Sequence, residues 1–433
     1  MKNNWFSVLG YVLCGWIFSL PVIAAQDLVV EITHGTTSAT AIAVSPFQWQ
    51  GASAPTEDVA QIISDDLAHT AQFRSLAQDQ LPSHPTQQAS VNFAEWKQVA
   101  AEYLTIGRIQ PNPQGYQFEF ELFDVYGQHL LDARRGQASH LRDLAHHISD
   151  QIYERLTGMR GIFSTRILYV TLERPHPKQT FYRLQMADAD GYRAQTIFQS
   201  PEPILSPSWS SDGKRVAYVS FHQGGKPAIY IHELATGQQE KIAAYKGTNG
   251  APAWSPDGRS LAMTLSKDGN PEIYLYQLED KSLLRLTKNL SIDTEPRWYP
   301  DGASLIFTSN RGGSPQLYQL GLADHSVRRL TYEGNYNARG EITRDGRYLV
   351  MVHREQGLFH IATQDLMKGH LNILTSTQLD ESPSVAPNGN MIIYATLRGN
   401  EGVLAVTSID GRAKFFLPAR QGEVREPVWS PFR

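Results

Sequence analysis

Two pairs of adjacent acids are the simplest candidates for proton-transfer chemistry in this 433-residue chain. Asp65-Asp66 and Asp380-Glu381 each place two carboxylates side by side, and carboxylates serve as general acids and bases in many hydrolases. Surfaces of helices and loops carry such pairs routinely, however. His146-His147 falls in an amphipathic helical pattern, and no Cys/His set has zinc spacing. We therefore predict no catalytic residue, no metal site and no cofactor.

A nucleophilic serine is the next chemistry to consider. Serine hydrolases that carry similar repeats need a Gly-x-Ser-x-Gly elbow, followed by Asp and His in chain order. No such elbow occurs in the sequence. The sequence therefore predicts a binding protein rather than an enzyme.

A third set of acids belongs to a repeated motif. Its clearest copies are Pro207-Ser-Trp209-Ser-Ser-Asp-Gly213, Pro252-Ala-Trp254-Ser-Pro-Asp-Gly258 and Pro296-Arg-Trp298-Tyr-Pro-Asp-Gly302. Ser-Pro-Asp-Gly is close to an ideal type I turn, and the loops lack the Asp-x-Asn-x-Asp spacing of a dedicated calcium site. We therefore assign these acids to turns.

The period of the motif predicts the fold of the C-terminal two-thirds. Weaker copies surround Ile342 and Val385, and a truncated copy ends at Trp429, so the Trp-type positions are 45, 44, 44, 43 and 44 residues apart. Further short strands follow each copy, as in Leu305-Ile-Phe-Thr308. Several strands per unit at this period indicate a β-propeller.

The two ends of the repeat region complete one another. Ile167-Leu-Tyr-Val170 matches a second strand with no Pro-x-Trp before it, whereas Pro427-Val-Trp429 has no second strand after it. We expect the C-terminal strand to supply the innermost strand of the first blade, which leaves no free sheet edge. This count gives six blades.

The region before the repeat has mixed elements and no internal repeat. Strands are predicted at Asp27–Thr33, Ala41–Phe47, Tyr103–Arg108 and Tyr116–Asp124, and a helix is predicted to begin at an N-cap on Thr56. A last helix places Leu141, Leu144, Ala145, Ile148, Ile152 and Leu156 on one face, and Gly158 is placed to end it. The predicted fold is an α/β N-terminal domain (26–161) followed by an all-β six-bladed β-propeller (162–433) closed by the C-terminal strand.

The N-terminus predicts export. Lys2 is followed by an apolar run and small residues, which fits a signal peptide over residues 1–25 cut near Ala25–Gln26. Cys14, the only cysteine, would be removed with it, which suits an oxidising compartment. No later segment could span a membrane, and the formal net charge of −4 argues against nucleic acid as a partner. We expect a monomer in the periplasm.

Several motifs together resemble one family. Ser-Pro-Phe-Gln-Trp49, Leu-Thr-Gly-Met-Arg-Gly161, the Pro-x-Trp-Ser-Pro-Asp-Gly blades and the final Trp-Ser-Pro are similar to the TolB family, and the resemblance covers essentially the whole chain. This family is the periplasmic component of the Tol–Pal system. The resemblance implies binding of the peptidoglycan-associated lipoprotein Pal at one mouth of the propeller and of TolA near the mature N-terminus, with roles in outer-membrane invagination at cell division and in envelope integrity. It also implies that some colicins use the Pal-binding face.

The resemblance also implies the positions of both sites. The Pal-facing residues would precede each inner-strand motif: Ser206, Thr248, Asn249, Ala251, Thr294, Glu295, Arg339, Glu381 and Glu426. The TolA-facing segment would be Asp27, Leu28, Val29, Val30, Glu31 and Ile32, which would act as an edge strand or a free arm. A plain structural strand is the alternative for that segment. For the whole chain, the alternative is a secreted propeller that binds carbohydrate or peptidoglycan.

Overall fold

The structure, a computed structural model, describes residues 39–176, 179–377, 379–418 and 422–432, together with the backbone of Val30–Ile32. The predicted signal peptide and Asp27, Leu28 and Val29 lie outside the described residues. Within the described ranges, no helix is long and apolar enough to cross a membrane.

An α/β unit comes first. Its strands are Thr40–Val44 (β2), Gln48–Trp49 (β3), Phe73–Ser75 (β4), Tyr103–Asn112 (β5), Gly115–Asp124 (β6) and His129–Ala138 (β7), and its helices are Val59–Ala68 (α1), Phe93–Gln98 (α2) and Leu141–Thr157 (α3). The sheet order is β4-β2-β5-β6-β7, and β3 also pairs with β5. α1 and α3 cover one face, while α2 covers part of the other through Trp96.

Local signals explain the helix ends. α1 begins two residues later than the predicted Thr56 cap, because the carboxylate of Asp58 accepts a hydrogen bond from the Gln61 N–H at 3.1 Å. α3 ends where predicted: Gly158 adopts a left-handed φ of 73° and its N–H bonds to the carbonyl of Glu154. The strand β7 was not predicted from the sequence, since its exposed Arg- and Gln-rich residues lack an apolar alternation.

The rest of the chain forms six four-stranded blades, as predicted. Their strands are β8–β10 (Arg166–His176, Gln179–Asp188, Gln195–Ser200), β11–β14 (Ile204–Trp209, Arg215–Ser220, Ala228–Glu233, Gln239–Ala243), β15–β18 (Asn249–Trp254, Ser260–Leu265, Glu272–Gln277, Leu283–Arg285), β19–β22 (Asp293–Trp298, Ser304–Ser309, Gln316–Gly321, Val327–Arg329), β23–β26 (Asn337–Ile342, Tyr348–Glu355, Leu358–Asp365, Leu371–Ile373) and β27–β30 (Glu381–Val385, Met391–Arg398, Glu401–Ser408, Ala413–Phe416). The last strand is β31 (Glu423–Trp429).

The C-terminal strand closes the ring. β31 pairs antiparallel with β8, with Trp429 opposite Ile167, so the first blade has the order β10-β9-β8-β31. The indole Nε1 of Trp429 donates to Thr165 Oγ1 at 2.7 Å. The indoles of two other repeat tryptophans reach the preceding blade: Trp298 Nε1 donates to the carbonyl of Ala253 at 3.0 Å, and Trp209 Nε1 donates to that of Val428 at 3.3 Å. The predicted packing role of these tryptophans and the predicted closure are therefore confirmed.

A buried ionic cluster joins the α/β unit to the propeller. His146 of α3 lies between Asp66 of α1, 2.8 Å from Nδ1, and Asp190 of the β9–β10 turn, 3.3 Å from Nε2. The guanidinium of Arg142 also pairs with Asp190. Burial alone would lower the pKa of His146, but the two carboxylates outweigh it and raise that pKa well above its ordinary value. The imidazole is therefore held as a cation at the interface.

Candidate functional site at the channel mouth

Six residues, one from each blade, share an unusual backbone conformation at one end of the channel. Each has a left-handed φ between 46° and 55°; in chain order they are Ser206, Ala251, Glu295, Arg339, Ser382 and Glu426. We call them the ring residues. A non-glycine residue in this region costs roughly 1–2 kcal/mol, and such strain concentrates at functional sites.

A bulge in each inner strand produces this conformation. The register of β19 against β20 shifts between Thr294 and Arg297, and the other five inner strands shift at the equivalent place. Proline follows the ring residue in five blades, as expected, since a bulge needs no ladder N–H. Gly340 replaces it in the fifth blade, where an added Cβ would lie 2.7 Å from Ile306 and 2.8 Å from Leu317.

Hydrogen bonds between blades hold the ring residues in place. The N–H of Glu295 donates to Thr264 Oγ1 and that of Arg339 to Thr308 Oγ1, each at 3.2 Å and each in the preceding blade. The N–H of Ser206 donates to the carboxylate of Glu426. These contacts attach three of the six strained positions to the preceding blade.

The ring carries opposed charges. Arg339 Nε donates to Glu295 Oε1 at 3.0 Å, and its Nη2 lies 3.8 Å from Glu426 Oε1. Burial alone would lower the pKa of Arg339, but Glu295, Glu426 and Glu381 outweigh it and raise that pKa. Arg339 is therefore held as a cation among three carboxylates, an arrangement suited to recognising polar groups of a partner.

The channel below the ring is narrow. The cavity lined by the ring residues and by Pro207, Pro383 and Pro427 has a volume of about 40 Å³. Small-molecule sites usually enclose roughly 300–1,000 Å³, so this cavity fits a few waters or one inserted side chain. A ligand of this mouth must therefore lie mainly outside the channel.

Apolar side chains surround the same mouth. They lie in the loops that lead into the inner strands or at the start of those strands, and they are exposed: Leu205, Tyr245, Leu290, Ile292, Tyr332 and Leu379. Leu290 is 99 % exposed. Apolar side chains around polar anchors are typical of protein interfaces. The sequence analysis did not identify these side chains. The available signal was the pair Leu290 and Ile292, which lies among polar residues.

The structure separates the predicted Pal-facing residues by register. Ser206, Ala251, Glu295, Arg339 and Glu426 are ring residues. Thr294 and Glu381 precede the ring position, because they pair with Thr308 and Ala395 before the bulge. In the sixth blade the ring residue is therefore Ser382, which the sequence analysis did not name.

The two remaining predicted residues lie where a loop enters β15. Thr248 is exposed, and its N–H donates to Ser266 Oγ at 2.7 Å. Asn249 is buried, and its side-chain amide bonds to the backbone of Tyr245 and Gly247. Buried acids occupy the equivalent position, two residues before the ring, at Asp293 and Asp380. The side chains at this position already form hydrogen bonds within the protein, so they shape the loops.

The described part of the predicted TolA-facing segment, Val30–Ile32, lies at the edge of the sixth blade. Val30–Ile32 (β1) adds a fifth strand antiparallel to β30, with Val30 opposite Phe415, Glu31 opposite Lys414 and Ile32 opposite Ala413. The ring of Phe415 also stacks on His69, the residue that caps the C-terminus of α1, with the ring centroids 4.2 Å apart. The strand is thus docked beside the interface between the α/β unit and the propeller.

Two of the acids that opened the sequence analysis, Asp66 and Asp380, have structural partners. Asp380 accepts from the hydroxyls of Thr375 and Thr377. Asp66, His146 and Asp190 bring potential metal-ligand atoms within 4.8 Å of one another, a set that sequence spacing did not reveal. Arg142 and the imidazolium already balance these two carboxylates, so the cluster acts as an ionic contact between the two parts of the chain.

Comparisons with known proteins agree with this architecture. Residues 28–131 match the family model described as the TolB amino-terminal domain, and residues 153–433 match the TolB beta propeller domain. The chain is 54 % identical over 420 residues to the Tol-Pal system protein TolB of Alcanivorax borkumensis, with 96 % of each chain covered. It is 52 % identical to that of Pseudomonas aeruginosa, with 96 % and 98 % covered.

A solved structure is similar over nearly the same length. The crystal structure of TolB from Acinetobacter baumannii superposes with a TM-score of 0.85 at 42 % identity, covering 94 % of this chain and 100 % of that one. The sequence relationships, the two family models and the shared fold lead to one conclusion: the chain belongs to the TolB family and is a component of the Tol-Pal system.

Proposed function

We propose that this protein links the lipoprotein Pal to the inner-membrane protein TolA in the periplasm, and thereby supports outer-membrane invagination at cell division and envelope integrity. Residues 1–25 would direct export and would be removed near Ala25–Gln26. No catalytic step is involved, and the family is not a known enzyme family. Colicins that exploit the system would compete at the Pal-binding face.

The ring of strained residues at the channel mouth is the observation that carries the Pal-binding assignment. It combines six rigidly held backbone positions, the Arg339–Glu295 pair and a border of exposed apolar side chains. A rigid polar centre surrounded by apolar contacts suits a protein partner. The cavity of about 40 Å³ does not favour an enclosed sugar.

The test is isothermal titration of the mature chain with soluble Pal. The variant Thr294→Arg/Glu295→Arg places two bulky cations at the mouth and should abolish one-to-one binding. The control Ala235→Arg/Gln238→Arg also introduces two arginines, at the exposed β13–β14 turn at the other end of the second blade, and should bind normally. Circular dichroism would verify that both variants fold.

Three outcomes separate the alternatives. Binding lost only in the mouth variant supports the proposal. Binding that survives in both variants keeps Pal as partner and rejects this site. If the unmodified chain does not bind Pal, the linking function is rejected and the carbohydrate-binding alternative is examined next.

We further propose that residues 27–32 bind TolA by adding a strand to it. Within the part of the chain that the structure describes, β1 makes three residue pairs with β30, and the hydrogen bonds of these pairs must break to free it for β-augmentation. A mature chain that begins at Thr33 should lose TolA binding and keep Pal binding. Unchanged TolA affinity of this shortened chain would refute the assignment.

A further inference from the structure

A polar groove crosses the α/β unit on the sheet face opposite α1 and α3. Its volume is about 670 Å³. The groove exists because α2 covers only half of this face, through contacts of Trp96 with Leu104 and Ile106. Further along the same strands, no described element covers the face.

Strand register arranges the side chains of this groove in two rows. Gln110 of β5 lies opposite Gln117 of β6, which lies opposite Gln137 of β7. Gln50 extends this row, since it follows the β3–β5 pairing and its N–H bonds to the Ile109 carbonyl. The second row, next to the first, contains Gln48, Arg108, Glu119 and Arg135.

The amide row is free to bind a ligand. Among the described residues, no protein group forms a hydrogen bond with the side chains of Gln50, Gln110, Gln117 or Gln137, and Arg135 has no ion-pair partner. Each amide offers both an acceptor and donors. The row spans three inter-strand steps, or about 14 Å. Strand propensity favours β-branched and aromatic residues and does not account for four aligned glutamines.

We propose that this groove is a binding site for an acidic oligosaccharide, in which the four glutamines contact hydroxyl and acetamido groups and Arg135 contacts a carboxylate. Sugar hydroxyls both donate and accept, which matches a row of amides. A protein partner would need an apolar anchor, and the polar groups of these two rows supply none. Arg108 is already paired with Glu119, which leaves Arg135 as the cation for an acidic group.

The experiment uses the full mature chain and two defined sugars. A hyaluronan hexasaccharide carries acetamido groups and carboxylates, whereas chitohexaose carries acetamido groups alone. We expect saturable binding of the first by isothermal titration and at least tenfold weaker binding of the second. Both Gln117→Ala/Gln137→Ala and Arg135→Gln should weaken hyaluronan binding at least tenfold.

The control Gln238→Ala/Gln239→Ala removes two exposed glutamines from the propeller and should leave binding unchanged. Thermal melts would verify that all variants fold, as expected for exposed positions. No binding of hyaluronan overturns the proposal and leaves the groove as a surface for a protein. Binding that depends on Arg135 but not on the glutamines also overturns it, because charge alone would then account for the interaction.

Discussion

Arg339 and Glu295, 44 residues apart in the chain, meet across two adjoining blades, where Nε of the arginine donates to Oε1 of the glutamate at 3.0 Å. The same glutamate accepts from Thr308 Oγ1 at 2.9 Å, and Thr308 in turn accepts from the Arg339 N–H. The three residues form a closed set of contacts between the fourth and fifth blades. This set positions the charged groups that a partner would meet at the mouth.

The first prediction concerns this pair. A double-mutant cycle with Arg339→Met and Glu295→Gln should give a coupling energy between about 0.5 and 3 kcal/mol, the range for contacting residues in one network. The measurement is urea unfolding of the four proteins. If the two changes affect the free energy of unfolding additively, the coupling energy is zero and the contact contributes nothing to stability.

A second prediction follows from the left-handed backbone of the ring. Ala251→Gly should be neutral or stabilise the protein by up to about 1 kcal/mol, because glycine adopts a φ of 46° without steric cost. Ala253→Gly, two residues along the same strand, should instead destabilise it by about 1 kcal/mol or more. The measurement is the denaturant midpoint of each variant. Equal losses of stability in the two variants would contradict the strain assigned to the ring.

A third prediction concerns pH and the interface cluster. His146→Gln should cost about 3–5 kcal/mol, as expected when one partner of a buried ionic contact is removed. Because the folded-state pKa of His146 is raised, its stabilisation is complete below the unfolded pKa of about 6.5 and declines as pH rises through the folded-state value. The difference in Tm between wild type and variant should therefore be largest at acidic pH and shrink at alkaline pH.

His147→Gln is the matched control, since His147 is exposed on the same helix. Its effect on the free energy of unfolding should be within about 0.5 kcal/mol. A His146 variant whose difference from wild type is constant from acidic to alkaline pH would show that the imidazole is not a buried cation.

The fourth prediction tests ring closure. Trp429→Phe removes the indole hydrogen bond to Thr165 and reduces the size of the side chain. Trp254→Phe makes the same change where the indole N–H has no hydrogen-bond partner among the described residues. The Trp429 variant should be less stable than the Trp254 variant by about 1 kcal/mol, the usual net contribution of one hydrogen bond to stability. Calorimetry of both checks this, and a larger loss for Trp254→Phe would contradict it.

The architecture could be predicted from the sequence because it repeats. Five intervals of 43 to 45 residues define the blades, and the unmatched strands near Ile167 and Trp429 indicate the closure. The edge strand β7 had no comparable signal, since its outward residues are Arg and Gln. The sequence analysis placed the N-cap of α1 at Thr56, whereas the structure has it at Asp58. Both residue types cap helices well, so the sequence did not distinguish them.

The candidate site was less predictable than the fold. The family resemblance, carried onto the repeat, implied five of the six ring positions, but it gave Glu381 in place of Ser382, because a bulge shifts register by an amount that the repeat motif does not reveal. The Asp66–His146–Asp190 cluster brings together residues from two helices and a propeller turn. Such contacts depend on how the two parts of the chain dock, which no local pattern encodes.

The pairing of β31 with β8 also has a consequence for the folding pathway. The first blade begins at Arg166, yet its inner strand is Glu423–Trp429, so the blade stays incomplete until nearly the whole chain is available. Contacts between residues so far apart in sequence form slowly, and an open sheet edge invites aggregation in the meantime. The chain is therefore most exposed to proteases and to misassembly just before its last strand arrives.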